Sequence, residues 1–312
     1  AVTWTQVAQY IVLIVAYLVP VVWLAFKQAG PVVPVLDYGS QLQLVAEREH
    51  ALLADPREHE VIARWHQRAA AAEARLRDVP AAMASDLLAL KAESERLRAE
   101  GAPLLRIQQV ERQIRQLPRT VDEARLRYEA DRQAALLRAR PLAGLSPQTQ
   151  PFPRDAADGS FHERVNFVAL VFCLMLGTAA MPHMLTRYYT TVSTPAARRS
   201  VGWTLLFITL LYLAAPTLAV LVKAEVFGSL VGLPFDQLPN WVRRWSRLDS
   251  SLVSVEDING DGILQLGELR LASDVIVLIA PELGGLPVVV TYLVAAGGLA
   301  AALSTADGLL LT

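Results

Sequence analysis

Twenty consecutive residues without a charge, VAQYIVLIVAYLVPVVWLAF from Val7 to Phe26, are the feature that most restricts this chain. A helix needs about 20 apolar residues to cross the hydrocarbon of a bilayer, and a strand or a core helix needs far fewer. Further runs of this kind follow, and they stand beside one long polar block. A soluble domain of this size would spread its apolar residues at helix or strand period. Segregation of this sort predicts an integral membrane protein. Of the 312 residues 53% are hydrophobic, and the formal net charge is -1, which gives no case for a nucleic-acid partner. The single cysteine, Cys173, lies in an apolar run, so disulfides within the chain and thiolate metal sites are not expected. The chain starts at Ala1 without a basic leader and stops at Thr312 within an apolar run, as a fragment would.

The runs give a domain plan. A first span occupies residues 1–30, with Pro20 inside it and Lys27, Gly30 and Pro31 ending it. Residues 37–163 are rich in Arg, Glu, Ala and Leu, with breaks at Pro56, Pro80, Pro103 and Pro118. Between breaks the apolar spacing is helical: Leu104, Ile107, Val110, Ile114 and Leu117, and likewise Met83, Leu87, Leu90 and Leu97. Asp55-Pro56 with Glu58 reads as a helix start, Thr120 with Glu123 as a capping box, and Gly101 as a helix end. This predicts an inserted extracytoplasmic bundle of four or five short antiparallel helices, with a Pro-rich linker from Leu145 to Ser160. A broken span at 164–187, a cytoplasmic loop at 188–200, a span at 201–223, a polar extracytoplasmic loop at 224–286 and a span at 287–312 complete the plan. The loop holds one short apolar helix, Val275–Ala280. Arg187, Arg198 and Arg199, with no acid among them, mark the connector between the second and third spans as cytoplasmic. The insertion is long enough to cross regardless of its arginines.

Three places could carry chemistry. In the last span Ser304, Thr305 and Asp307 follow a stripe of small residues that includes Gly297 and Ala301. The small residues alone would serve helix packing. Hydroxyls and freed carbonyls are what a hard cation such as sodium takes in a transporter. Asp307 is either a functional acid inside the span or a solvated residue near the cytoplasmic interface. In the broken span, Gly177, Thr178 and Pro182 combine helix weakeners with a hydroxyl, as a substrate pathway does; the alternative is an ordinary kinked helix. His183 follows the break and reads as an interfacial residue. In the outer loop, DINGDGILQLGE places Asp257, Asn259, Asp261, the carbonyl of Ile263 and Glu268 at calcium-loop spacing, with Gly262 at the turn. The ion would be a structural Ca2+; the alternative is a polar turn entering a helix. His50, His59 and His66 sit on solvated helix faces, and no nucleophile triad or phosphate loop is present.

The stretches GTAAMPHMLTRYYTTVSTPAARRSVGW (177–203) and LVAAGGLAAALSTADGLLLT (293–312) closely resemble the sodium:solute symporter family, most of all its cation/acetate symporter branch. AVTWTQVAQY at the start is similar to the opening of that family's fifth core helix. The resemblance covers the four spans and the calcium-type loop; residues 37–163 have no counterpart in the common members of the family. It implies an all-α integral membrane fold with a five-plus-five inverted repeat, of which the spans here are core helices five to eight. It places a sodium ion (Na+) on the Ala301 carbonyl and the Ser304 and Thr305 hydroxyls, and substrate contacts around Gly177–Pro182. Sugar-type members carry an acid where this chain has Gln6, which leaves a sodium exit route through that position in doubt.

The expectation is sodium-coupled symport of a small, acetate-like carboxylate across the bacterial inner membrane, multi-pass, by alternating access and without covalent chemistry. The carboxylate rests on the resemblance alone. A small subunit or a periplasmic partner could dock on the inserted helices. The rival reading is a membrane-embedded sensor whose outer helices bind a ligand or a partner protein. Four spans and an intramembrane Ser-Thr-Asp cluster favour the transporter.

Overall fold

The computed structural model describes residues 2–30, 38–147, 159–181 and 192–310. Within these the chain forms two compact units. One comprises residues 1–52, 146–257 and 262–312, and the other comprises 53–145 together with 258–261.

The first unit holds the apolar helices. α1 (Val2–Ala29) is the expected first span, and Pro20 is accommodated inside it. α2 (Tyr38–Leu53) follows and buries Gln41, Val45 and Glu49. α7 (Gly159–Ala179) and α8 (Thr194–Glu225) come after the second unit, and α11 (Val288–Leu310) closes the chain. α1 packs chiefly along α11 and also against α8. Among the described residues three stretches are long and apolar enough to cross a membrane: Trp4–Gln28, Thr194–Leu230 and Val288–Ala306. The apolar part of α7, Arg164–Ala179, is shorter, and Pro182 and His183 beyond it lie outside the described residues. Many large apolar side chains on these helices are exposed, among them Ile11, Phe172, Leu206 and Leu299. Exposure on that scale is what a lipid-facing surface requires, since hydrocarbon is as good a solvent for leucine as a protein core.

Two boundaries differ from the expectation. Residues 194–200, expected as loop, are the first two turns of α8. Ser193 starts the helix by accepting a hydrogen bond from the Ala196 N–H at 3.4 Å, and Pro195 follows in the first turn, where its missing N–H costs nothing. The arginines of this stretch hid the helix from a hydropathy reading. At its other end α8 widens into a π-turn, Val226–Leu230.

The expected polar loop at 224–286 is also folded, and the chain is not purely helical. α9 (Asn240–Leu248) buries Trp241 and Val242 and packs on a two-stranded antiparallel sheet, β1 (Val253–Val255) with β2 (Leu269–Leu271). Val253 pairs with Leu271 and Val255 with Leu269. Three arginines in nine residues disguised α9 as loop. α10 (Ile276–Leu283) is the short apolar helix expected there, and it packs on α1, α8 and α11.

The second unit contains α3 (Pro56–Arg77), α4 (Val79–Ala99), α5 (Leu104–Arg115) and α6 (Val121–Arg138). Asp55 caps α3 through the Arg57 N–H at 2.9 Å, and Asp78 caps α4 through the Ala81 N–H at 3.1 Å. Thr120 caps α6 through the Glu123 N–H at 3.2 Å. The Glu123 carboxylate returns not to Thr120 but to the Arg119 N–H, at 2.9 Å. Gly101 takes φ +66, where a side chain would strain the backbone, and ends α4 as expected. α3 lies along α6, and α4 contacts α5 and α6. Their shared core has two patches: Val61, Trp65, Ala69, Ala135 and Ala139 in one, and Val79, Ala82, Ala124 and Tyr128 in the other. Arg68 and Arg138 lie over the Trp65 ring, 5.1 and 4.6 Å from its centre. Burial holds Tyr128 above the ordinary tyrosine range, and its hydrogen bond to Asp86 at 3.0 Å adds to the shift.

Candidate functional site

α11 brings together two of the three residues expected to bind a cation. The Thr305 hydroxyl donates to the Ala301 carbonyl at 3.0 Å, so two oxygens lie side by side on one helix face. A hydroxyl in this position back-bonds to the carbonyl four residues earlier and weakens its role in the helix ladder. Ser304, the third, is half-buried beside them. Asp307 falls within α11, but its side chain lies outside the described ones. One turn before Ala301 the helix meets α1 closely: a Cβ on Gly297 would stand 2.7 Å from the Ala16 Cβ, whereas Gly298 faces open space. Sequence reading found the small stripe but could not say which of its members makes the contact. It also passed over Thr291, which is buried in α11 with no hydrogen-bond partner for its hydroxyl among the described residues.

The expected break in α7 is not at Gly177. The helix runs through it to Ala179, and the Thr178 hydroxyl donates to the Leu174 carbonyl at 2.7 Å and the Met175 carbonyl at 3.2 Å. The Thr178 side chain is exposed and turned back on its own helix. Pro182, the remaining member of the expected pathway, lies outside the described residues. A glycine lowers helix propensity by about 1 kcal/mol, which a long apolar helix absorbs; proline removes a backbone donor outright.

The calcium-type segment has the turn geometry of its motif. Gly262 takes φ +72, and its N–H donates to the Asp257 carboxylate at 3.1 Å. The Asp261 N–H donates to Asn259 Oδ1 at 3.1 Å. Leu264 is fully buried, held between the carbonyl of Leu233 and the N–H of Gly232, both at 2.8 Å. Ile263 pairs with Pro234. Glu268 is fully buried, accepts the Gln265 N–H at 3.1 Å and closes a short 3-10 turn, Leu266–Glu268, that leads directly into β2. Residues 258–261 group with the helical unit, where Ile258 packs on the Trp65 patch, and the rest of the motif groups with the other unit. Among the described residues no three His, Cys, Asp or Glu side chains gather as a metal centre requires. Its glycine turn fits a calcium loop, and the Asp257 and Glu268 carboxylates each accept one backbone N–H.

Two further features could not be read from one strand of sequence. α1, α8, α10 and α11 border an open, mainly apolar pocket of about 590 Å3, lined by residues such as Leu13, Tyr17, Ala215, Leu278 and Val294, with Asp274 also in its wall. At the ends of these helices a polar collar forms. Lys27 pairs with Glu225 at 2.8 Å, and Gln28 donates to Glu225 at 3.1 Å and to the Leu221 carbonyl at 2.9 Å. The Trp23 indole donates to the Gly284 carbonyl at 3.0 Å, and Arg244 pairs with the buried carboxylate of Glu282. These partners are up to 261 residues apart in sequence, so no local pattern announces them.

Comparison with known proteins adds to this picture. Over its whole length the chain is 47% identical to an uncharacterized symporter of Cupriavidus necator, of which it covers 45%. Fifty residues, 16% of the chain, are 42% identical to a monocarboxylic acid transporter of Corynebacterium glutamicum, of which they cover 9%. The chain thus spans less than half of either relative. No family model matches it, and no solved structure matches it. Among the described residues three helices are long and apolar enough to cross a membrane, and the whole chain is similar to part of a symporter.

Proposed function

We propose that this chain forms part of a sodium-coupled symporter that carries a small, acetate-like monocarboxylate across the bacterial inner membrane by alternating access. The observation that carries the reading is the unbroken 47% identity to a symporter over all 312 residues. The shorter similarity to a monocarboxylic acid transporter supports the carboxylate class. The family resemblance at 177–203 and 293–312 supports sodium as the coupling ion and the five-plus-five repeat as the complete fold.

The Ala301 carbonyl with the Ser304 and Thr305 hydroxyls would receive sodium. Thr305 already rests 3.0 Å from Ala301 O, and its hydroxyl hydrogen would have to swing away from that carbonyl for both oxygens to face a cation. Coupling then requires that one orientation of the transporter bind sodium and carboxylate better than the other; the gradient can shift the equilibrium only by that difference. Residues around Gly177, Thr178 and Pro182, together with Asp307, would line the substrate pathway. Asp257, Asn259, Asp261, Ile263 and Glu268 would hold a structural Ca2+, the Asp257 and Glu268 carboxylates each having lone pairs beyond the one that accepts a backbone N–H.

The test is uptake of labelled acetate into vesicles holding the full-length protein, with and without a sodium gradient, compared with a Ser304→Ala, Thr305→Ala variant. Gradient-dependent uptake that collapses in the variant is the expected result. Uptake indifferent to sodium, or unaltered in the variant, would remove the sodium assignment.

A further inference from the structure

Where the chain leaves the apolar unit for the helical unit at 53–145, and where it returns, one side chain meets both stems. Lys223, in the last turn of α8, donates to the Glu49 carboxylate on α2, four residues before Leu53. It also donates to the Ser146 carbonyl at 3.4 Å, directly after Leu145. Its ammonium stands 5.5 Å from the centre of the Phe227 ring. The pair is well covered: the Glu49 side chain is 4% exposed and that of Lys223 is 14% exposed. Two residues further on, Glu225 points the other way and takes Lys27 and Gln28 from α1. The final turn of α8 therefore grips the stems on one side and α1 on the other, just before the backbone opens into its π-turn. π-turns of this kind recur where helices serve function rather than packing.

We propose that Lys223 is a pin that fixes on α8 the two segments of its own unit that flank residues 53–145, and that transport depends on this pin to hold the end of α8 in register with α1. The transport half of this inference rests on the symport reading above; the pin itself does not. A buried ion pair adds little net stability, but removing one partner leaves an uncompensated charge. The α2 stem therefore cannot leave Lys223 without exposing that cost, and the Ser146 stem is held beside it by a neutral hydrogen bond. The pair thus acts as a register device: the end of α8 has one seat, and the two stems share it. Lysine suits the role because its compact ammonium can donate to a carboxylate and a carbonyl at once on a flexible stem.

The test uses the full-length protein in lipid nanodiscs and compares wild type, Lys223→Met, and the reversed pair Glu49→Lys with Lys223→Glu. Hydrogen exchange and sodium-driven uptake are read on each. In Lys223→Met, exchange across α2 should rise about tenfold while the α3 and α6 core amides stay protected. Its maximal uptake rate should fall about tenfold with the half-saturating sodium concentration unchanged, as for a residue that acts through register and not through the ion site. The reversed pair should restore both. Unchanged exchange in α2, equal loss of protection in α3 and α6, or a reversed pair no better than Lys223→Met would each overturn the pin. If wild type shows no uptake, the symport reading fails, and the exchange results alone decide the pin.

Discussion

α3 and α11 are both long helices, of 22 and 23 residues, yet they are built on opposite rules. α3 is polar and buries a narrow stripe, Val61, Trp65, Ala69 and Ala72, against α6. α11 is mostly apolar, exposes Leu299 and Leu303, and meets α1 through Gly297. In water a helix gains by removing large side chains from solvent, so its contacts are made by bulk. In lipid nothing is gained by hiding a leucine, so contacts are made by small residues that let backbones approach. The difference teaches where each unit is fragile: the helical unit to loss of volume, the apolar unit to gain of it.

Six substitutions, two of them controls, sharpen or break that contrast. Trp65→Ala should cost the most, about 3–5 kcal/mol, because it empties a fully covered core position. Chemical unfolding followed by fluorescence would show it, and an effect as small as that of the 75%-exposed Leu104→Ala would refute the core assignment. Gly297→Val should follow, at about 1–3 kcal/mol, since its Cβ falls 2.7 Å from that of Ala16. Gly298→Ala, with open space around it, should be tolerated. Thermal stability in detergent separates the two, and equal effects would mean that α11 does not meet α1 at Gly297.

Asp78→Ala should cost about 1 kcal/mol by uncapping α4, with higher amide exchange confined to its first turn. The smallest effect concerns pH. Tyr128 titrates above the ordinary tyrosine value of 10.0 in the folded protein, so its contribution is whole below that value and is lost as pH rises through the folded one. Tyr128→Phe should flatten the loss of stability above about pH 10 and leave neutral pH little changed. A wild-type unfolding curve insensitive to pH in that range would break the point.

Much of the architecture was legible because its signals are local. The uncharged run at Val7–Phe26 gave α1, and Asp55-Pro56, Thr120 and Gly101 gave helix ends within a residue or two. α9 and the first turns of α8 were misread because arginines on a helix lower its hydropathy as much as a loop does, while Trp241 and the Ser193 cap are single residues. Of the candidate site, the spacing of Ala301 and Thr305 was legible, since residues four apart on a helix must be neighbours.

What the amino-acid order determined by itself is therefore whatever depends on length, period and neighbours along the chain: a membrane class, helix limits, and an oxygen pair on α11. Tertiary structure alone decided that Gly297 and not Gly298 touches α1, that Glu268 is buried against its own backbone, and that Lys223 holds Glu49 and Ser146. The physical reason is range. Hydrogen bonds and methyl contacts act over a few ångströms, and partners 174 residues apart meet only after helices have packed, which no periodicity in the sequence encodes.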